Sequence, residues 1–130
     1  MKLLAIFTGI SGFLGVALGA FGAHALRGHV EPQLLSVWQT AVQYQMFHVL
    51  ALLAVLIMMA RQPRANKLYL VGSLFSAGII VFSGSLYVLV LTGIKQLGMI
   101  TPIGGVLLLL GWLVFVFALV AFTDAERTPS

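Results

Sequence analysis

Four stretches of this chain, residues 3–26, 39–60, 68–91 and 100–122, contain no Asp, Glu, Lys or Arg. An α-helix needs about 20 predominantly apolar residues to cross the hydrocarbon core of a bilayer, and each stretch is long enough. Composition leaves no soluble alternative. Only 8% of the 130 residues are charged and 61% are hydrophobic, whereas a soluble domain carries about a quarter charged residues to coat its surface. The chain is read as an integral membrane protein, all-α, with four spanning helices.

Local chemistry marks the ends of the spans. Arg27, Gly28 and His29 close the first; Arg61, Gln62, Pro63 and Arg64 close the second. Thr92, Gly93, Ile94 and Lys95 close the third, and the run from Thr123 to Arg127 closes the fourth. Pro32 after Glu31 suits a first helical turn, where its missing N–H has no partner to lose. Helices are therefore expected at about 3–26, 32–60, 68–91 and 100–122. Short connections make sequential helices antiparallel neighbours, so 1–130 reads as one transmembrane domain, a four-helix antiparallel bundle. A second helix starting at Pro32 outruns a hydrocarbon core of about 30 Å, which places Trp38 near headgroup depth, where tryptophan is favoured.

The net charge of +4 comes from scattered residues rather than a basic stripe, so nucleic acid is not an expected partner. Lys2, Arg61, Arg64, Lys67 and Arg127 fall on one side of the membrane, Arg27 and Lys95 on the other. The positive-inside rule then puts both termini in the cytoplasm. Lys2, the apolar run and Ala23-His24-Ala25 imitate a cleavable secretory signal. The run exceeds a usual signal core and three further spans follow, so the segment is expected to stay as the first span.

Small residues line three of the helices. Gly9, Gly12, Gly15, Gly19 and Gly22 recur three or four apart in the first; Gly72, Ser76, Ser83 and Gly84 fall in the third; Gly104, Gly105 and Gly111 fall in the fourth. Such stripes let helix backbones approach closely in lipid. Gly12, Gly15, Gly19 and Gly22 are the expected packing seam, and sequence does not separate packing within one chain from packing between copies.

The second helix is polar in its first half: Gln39, Thr40, Gln43, Tyr44, Gln45 and His48. Tyr44 and His48 are four apart, and Gln45 and His48 three apart, so the three share a face. Polar groups at that depth are costly and should turn inward to partners. For His48 those partners are expected among Ser83, Ser85 and Tyr87 of the third helix. No intramembrane carboxylate is present to continue a proton relay or to orient a histidine base, which argues against a pump and a hydrolase. His24 and His48 sit at depths too different to clamp one haem. His24, His29 and Glu31 match no standard zinc spacing, and there is no cysteine. No cofactor and no metal are expected.

Four motifs occur in order: GAFGAHAL at 19–26, QYQMFHVLALL at 43–53, FSGSLYVL at 82–89 and TPIGG at 101–105. Together they closely resemble the YgdD/YwdK family of small inner-membrane proteins, which has a mitochondrial branch in eukaryotes. The resemblance implies a four-span membrane protein without an assigned activity, and it supplies no catalytic residue. Its motifs gather His24, Gln45, His48, Ser83, Ser85, Tyr87 and Thr101 into one polar constellation, joined by Tyr44, in the outer half of the bundle, with His24 capping it.

The resulting expectation is a non-enzymatic protein of the inner (plasma) membrane with a structural or accessory role. Its partners are the lipid bilayer and either further copies of itself or a larger membrane complex. The alternative is a binding or transport protein for a lipid, quinone or solute, built on an outward-opening cavity at the polar cluster.

Overall fold

The structure is a computed structural model that describes residues 1–127. Helix α1 (Lys2–Phe21) runs on into one π-helical turn (Gly22–Leu26), followed by α2 (Pro32–Arg61), α3 (Asn66–Thr92), a 3₁₀ turn (Lys95–Met99) and α4 (Thr101–Arg127). Each of the four helices is long and apolar enough to cross a membrane. The helix ends follow from the residues there. Pro32 occupies the first turn of α2. Gly93 ends α3 with φ +72°, and its N–H donates to the Leu89 carbonyl at 2.8 Å; a left-handed C-terminal cap of this kind favours glycine. Gly28, at φ +83°, turns the chain between α1 and α2. Helix α4 extends past its apolar run to Arg127, and there Glu126 pairs with Arg61 at the end of α2. The end of hydrophobicity is thus not the end of the helix.

The helices are not arranged as a closed square. Helices α2 and α3 form the centre, α1 packs on α2 and touches α3 lightly, and α4 packs along α3. Among the described residues α1 and α4 make no extended contact.

Glycines set the two outer seams. A Cβ built on Gly12, Gly15 or Gly19 of α1, or on Gly22 of the π-helical turn that continues it, would meet Val49, Met46, Val42 or Trp38 of α2 in turn, an antiparallel ladder. The stripe on α1 is thus occupied within the chain. A second ladder joins α3 to α4, where Gly104 sits on Phe82, Gly78 on Leu108 and Gly111 on Phe75. Without a hydrophobic drive between helices in lipid, this close approach and its dispersion contacts supply the association.

Two apolar clusters fill the centre. One, around Leu52, Val55, Met59, Leu68, Val71, Phe75 and Phe115, occupies the half containing the chain termini and the α2–α3 loop. A smaller one, around Leu26, Trp38 and Val90, occupies the opposite half. Between them lies a layer of buried polar residues: Ser11, Gln45, His48 and Ser83.

Candidate functional site

The polar residues of α2 divide between two networks, because α1 and α4 flank α2 and α3 on different sides. Gln45 is buried and faces α1 and α3. Its Nε2 donates to the Ser11 carbonyl of α1 at 2.8 Å, and its Oε1 accepts from the Tyr87 hydroxyl of α3 at 2.6 Å. One side chain therefore ties three helices. Ser83 adds a second tie: its Oγ donates to the Ala41 carbonyl at 2.7 Å. One turn further out, Tyr87 meets Trp38 edge-on at 4.7 Å, and the Trp38 indole N–H donates to the Leu18 carbonyl at 2.8 Å. Gly22 makes room for that indole, since a Cβ there would fall 2.5 Å from Trp38 Cδ1.

His48 belongs to the other network. Its Nδ1 lies 2.7 Å from the Tyr44 carbonyl and its Nε2 lies 3.0 Å from Trp112 Nε1 of α4. A carbonyl only accepts and an indole N–H only donates. The imidazole is therefore the neutral tautomer protonated at Nδ1, with Nε2 accepting from Trp112. Phe75 and Trp112 pack edge-on to its ring at 5.3 and 5.9 Å, and Tyr44 stacks at 6.3 Å. Near the α4 N-terminus, Thr101 and Ser85 share a hydroxyl–hydroxyl bond of 2.6 Å, and Ser85 also bonds the Phe82 carbonyl.

Several expectations change here. The single constellation is two separate networks plus the Ser85–Thr101 pair. His48 does not bond Ser83, Ser85 or Tyr87; its partner is Trp112, which sequence treats as an apolar residue of α4. His24 is exposed in the π-helical turn and does not cap the polar layer. Trp38 is a core residue, 1% exposed, so its indole faces the neighbouring helices rather than the surrounding headgroups. The residues expected to line one outward-opening cavity, His24, Tyr44, Gln45, His48 and Tyr87, are instead divided between two lateral grooves, with His24 in neither. One, of about 540 Å³ between α2 and α4, is lined by Gln43, Tyr44, Phe47, His48, Phe82 and four residues of α4; the other, of about 310 Å³ between α1 and α3, has Gln45, Ser83 and Tyr87 in its lining.

Sequence reasoning also passed over Ser11 and Trp112. Ser11 contributes its carbonyl, which carries no side-chain signal. Trp112 did carry one: a lone indole N–H inside an apolar run requires a buried acceptor.

Among the described residues every buried side-chain nitrogen or oxygen has a hydrogen-bond partner, and no three of His, Asp and Glu come together as a metal site needs. The arrangement joins helices.

A family model described as "Protein of unknown function (DUF423)" matches residues 18–105. The chain is 48% identical to a UPF0382 membrane protein of Staphylococcus aureus, over 94% of this chain and 98% of the relative. It is 43% identical to the UPF0382 membrane protein YwdK of Bacillus subtilis, over 94% of this chain and 99% of that one. A relative in Staphylococcus epidermidis is 45% identical over 94% of this chain and 98% of its own length. No solved structure matches.

Proposed function

This chain belongs to the DUF423 family of membrane proteins, and we propose that it serves there as a non-enzymatic structural or accessory protein. It resides in the inner (plasma) membrane with both termini cytoplasmic and acts as an oligomer or as a small subunit of a larger membrane complex. The observation that carries this reading is the use of the buried polar groups. Gln45, Ser83, Tyr87, His48 and Trp112 each make a hydrogen bond to a neighbouring helix, and the other nitrogen of His48 is taken up by the Tyr44 carbonyl of its own helix. A catalytic or conducting site would keep some of those groups for a substrate.

The orientation is supported by Lys2, Arg61, Arg64, Lys67 and Arg127, which the four spans bring to one side. The glycine stripes do not support self-association, because α1 spends its stripe on α2 and α4 spends its own on α3. Support for a partner comes from the open architecture, in which α1 and α4 each leave one flank free of other helices.

Purification from native membranes in mild detergent, followed by native mass determination, tests the assignment. Masses of a multimer or of a complex with another protein are expected. A strict monomer with nothing co-purifying contradicts it.

A further inference from the structure

We infer that the groove between α2 and α4 seats one acyl chain of a phospholipid, with the Tyr44 hydroxyl and Gln43 amide hydrogen-bonded to its ester oxygens. Three observations lead to this occupant.

The first is the shape and opening of the groove. Its volume of about 540 Å³ is in the range of small-molecule sites, about 300–1,000 Å³. Its floor is Phe82 of α3, and its walls are Phe47 and His48 of α2 with Leu108, Leu109 and Trp112 of α4. The rim faces outward, with Phe47 64% and Leu109 66% exposed. In a four-span protein that direction is the bilayer, so the groove opens onto lipid rather than water.

The second is the polarity of one end. Below the rim the lining is hydrocarbon and aromatic, and the two polar members that reach it from inside, His48 and Trp112, are bonded to each other. Gln43 and Tyr44 differ. Both are exposed on the groove, and among the described residues neither the amide nor the phenol has a hydrogen-bond partner. An occupant matched to this groove has an apolar tail and a hydrogen-bond acceptor at one end.

The third is depth. Tyr44 lies 17 residues from Arg61 (61 − 44), about 26 Å at about 1.5 Å per residue. With Arg61 at one edge of a hydrocarbon core of about 30 Å, Tyr44 lies about 4 Å inside the opposite edge. Ester carbonyls sit at that level. From there the groove leads inward to His48 and Trp112, the direction an acyl chain takes. On the proposed orientation this is the outer leaflet, although the depth argument itself does not depend on which side is cytoplasmic.

The test uses the full chain in phosphatidylcholine/phosphatidylglycerol nanodiscs doped with phosphatidylcholine carrying an acyl-chain diazirine. After photolysis, adducts are mapped by mass spectrometry, and the retained lipid is identified by native mass. Adducts are expected several-fold enriched at Phe47, Leu109 and Trp112 over Leu3, Val16 and Phe117, which are equally or more exposed outside the groove. Tyr44→Phe keeps the ring contacts and removes the hydroxyl. It should cut groove labelling about fivefold, the value of one neutral hydrogen bond of about 1 kcal/mol. Leu109→Trp, on the exposed rim, should abolish labelling by filling the mouth. Uniform labelling of all exposed residues overturns the proposal, as does groove labelling that Tyr44→Phe leaves unchanged. A retained prenyl quinone in place of phospholipid, or a disulfide-linked dimer through Leu109→Cys, overturns it by naming a different occupant. Both oligomers and complexes remain compatible with an occupied groove, so this test and the mass determination fail independently.

Discussion

Gly104 and Gly105 are neighbours in α4 with opposite surroundings, and alanine at the two positions should have opposite consequences. A Cβ at Gly104 would lie 2.6 Å from Phe82 Cα and 2.7 Å from Phe82 Cβ, closer still to the Phe82 amide nitrogen. Carbon atoms rest at about 3.5–4.0 Å. Because the obstacle is backbone, no rotamer change relieves it, and α3 and α4 must part by about 1 Å locally. A radial gap of that order forfeits about a quarter to a half of each dispersion contact along the seam. Overpacking of this kind costs about 1–3 kcal/mol. At Gly105 the nearest atom is Phe82 Cδ2 at 3.8 Å, an ordinary contact, so the added methyl should cost about 0–0.5 kcal/mol. Both variants change helix propensity by the same amount, which therefore cancels in the comparison. Reversible unfolding in mixed micelles of increasing SDS fraction, followed by circular dichroism, measures each difference. Equal stability of Gly104→Ala and Gly105→Ala would refute the close α3–α4 seam.

Other outcomes follow from the same contacts. In a double-mutant cycle, Gln45→Ala and Tyr87→Phe should couple by about 0.6 kcal/mol and at most about 1.7, the span for interhelical hydrogen bonds in membranes. Zero coupling in the same unfolding assay removes the three-helix tie. Nitrogen-15 spectra should show His48 protonated at Nδ1, and Trp112→Phe should shift its Nε2 resonance while leaving the tautomer unchanged; an Nε2-protonated ring contradicts the pairing with Trp112. Gly22→Ala should displace the Trp38 indole and redden its fluorescence, read in a Trp112→Phe background, while Gly9→Ala, with nothing within 4 Å, should leave it unchanged.

The spans were legible because charge is expelled from hydrocarbon and reappears at its edges, as at Arg61 and Lys95. Pro32 and Gly93 were legible as helix ends for the same backbone reasons the structure displays. The site was less so. Gln45 and His48 lie three residues apart, about 60° around a helix of 3.6 residues per turn, and read as one face. That angle is enough to point Gln45 at α1 and α3 and His48 at α4 once the helices are placed on different sides of α2. Nothing local in α2 encodes that placement. It depends on which glycine ladder fits which neighbour, Gly12 to Gly22 on α2 and Gly104 to Gly111 on α3, and these matches span the chain. His24 misled for a related reason: its motif is compact in sequence, yet the π-helical turn leaves its side chain outside.

The central claim is that the inner polar layer holds helices together and is closed to water. Because the chain has no cysteine, single cysteines report without background. Gln45→Cys and Ser83→Cys, with Gly28→Cys in the α1–α2 loop and Ala65→Cys in the α2–α3 loop, should be treated in intact cells with a membrane-impermeant cationic thiosulfonate. The account predicts rapid modification at position 28 and none at 45, 83 or 65, with 65 becoming reactive when the membrane is opened. Modification at 45 or 83 from the outside would reveal an aqueous path through the bundle and contradict it.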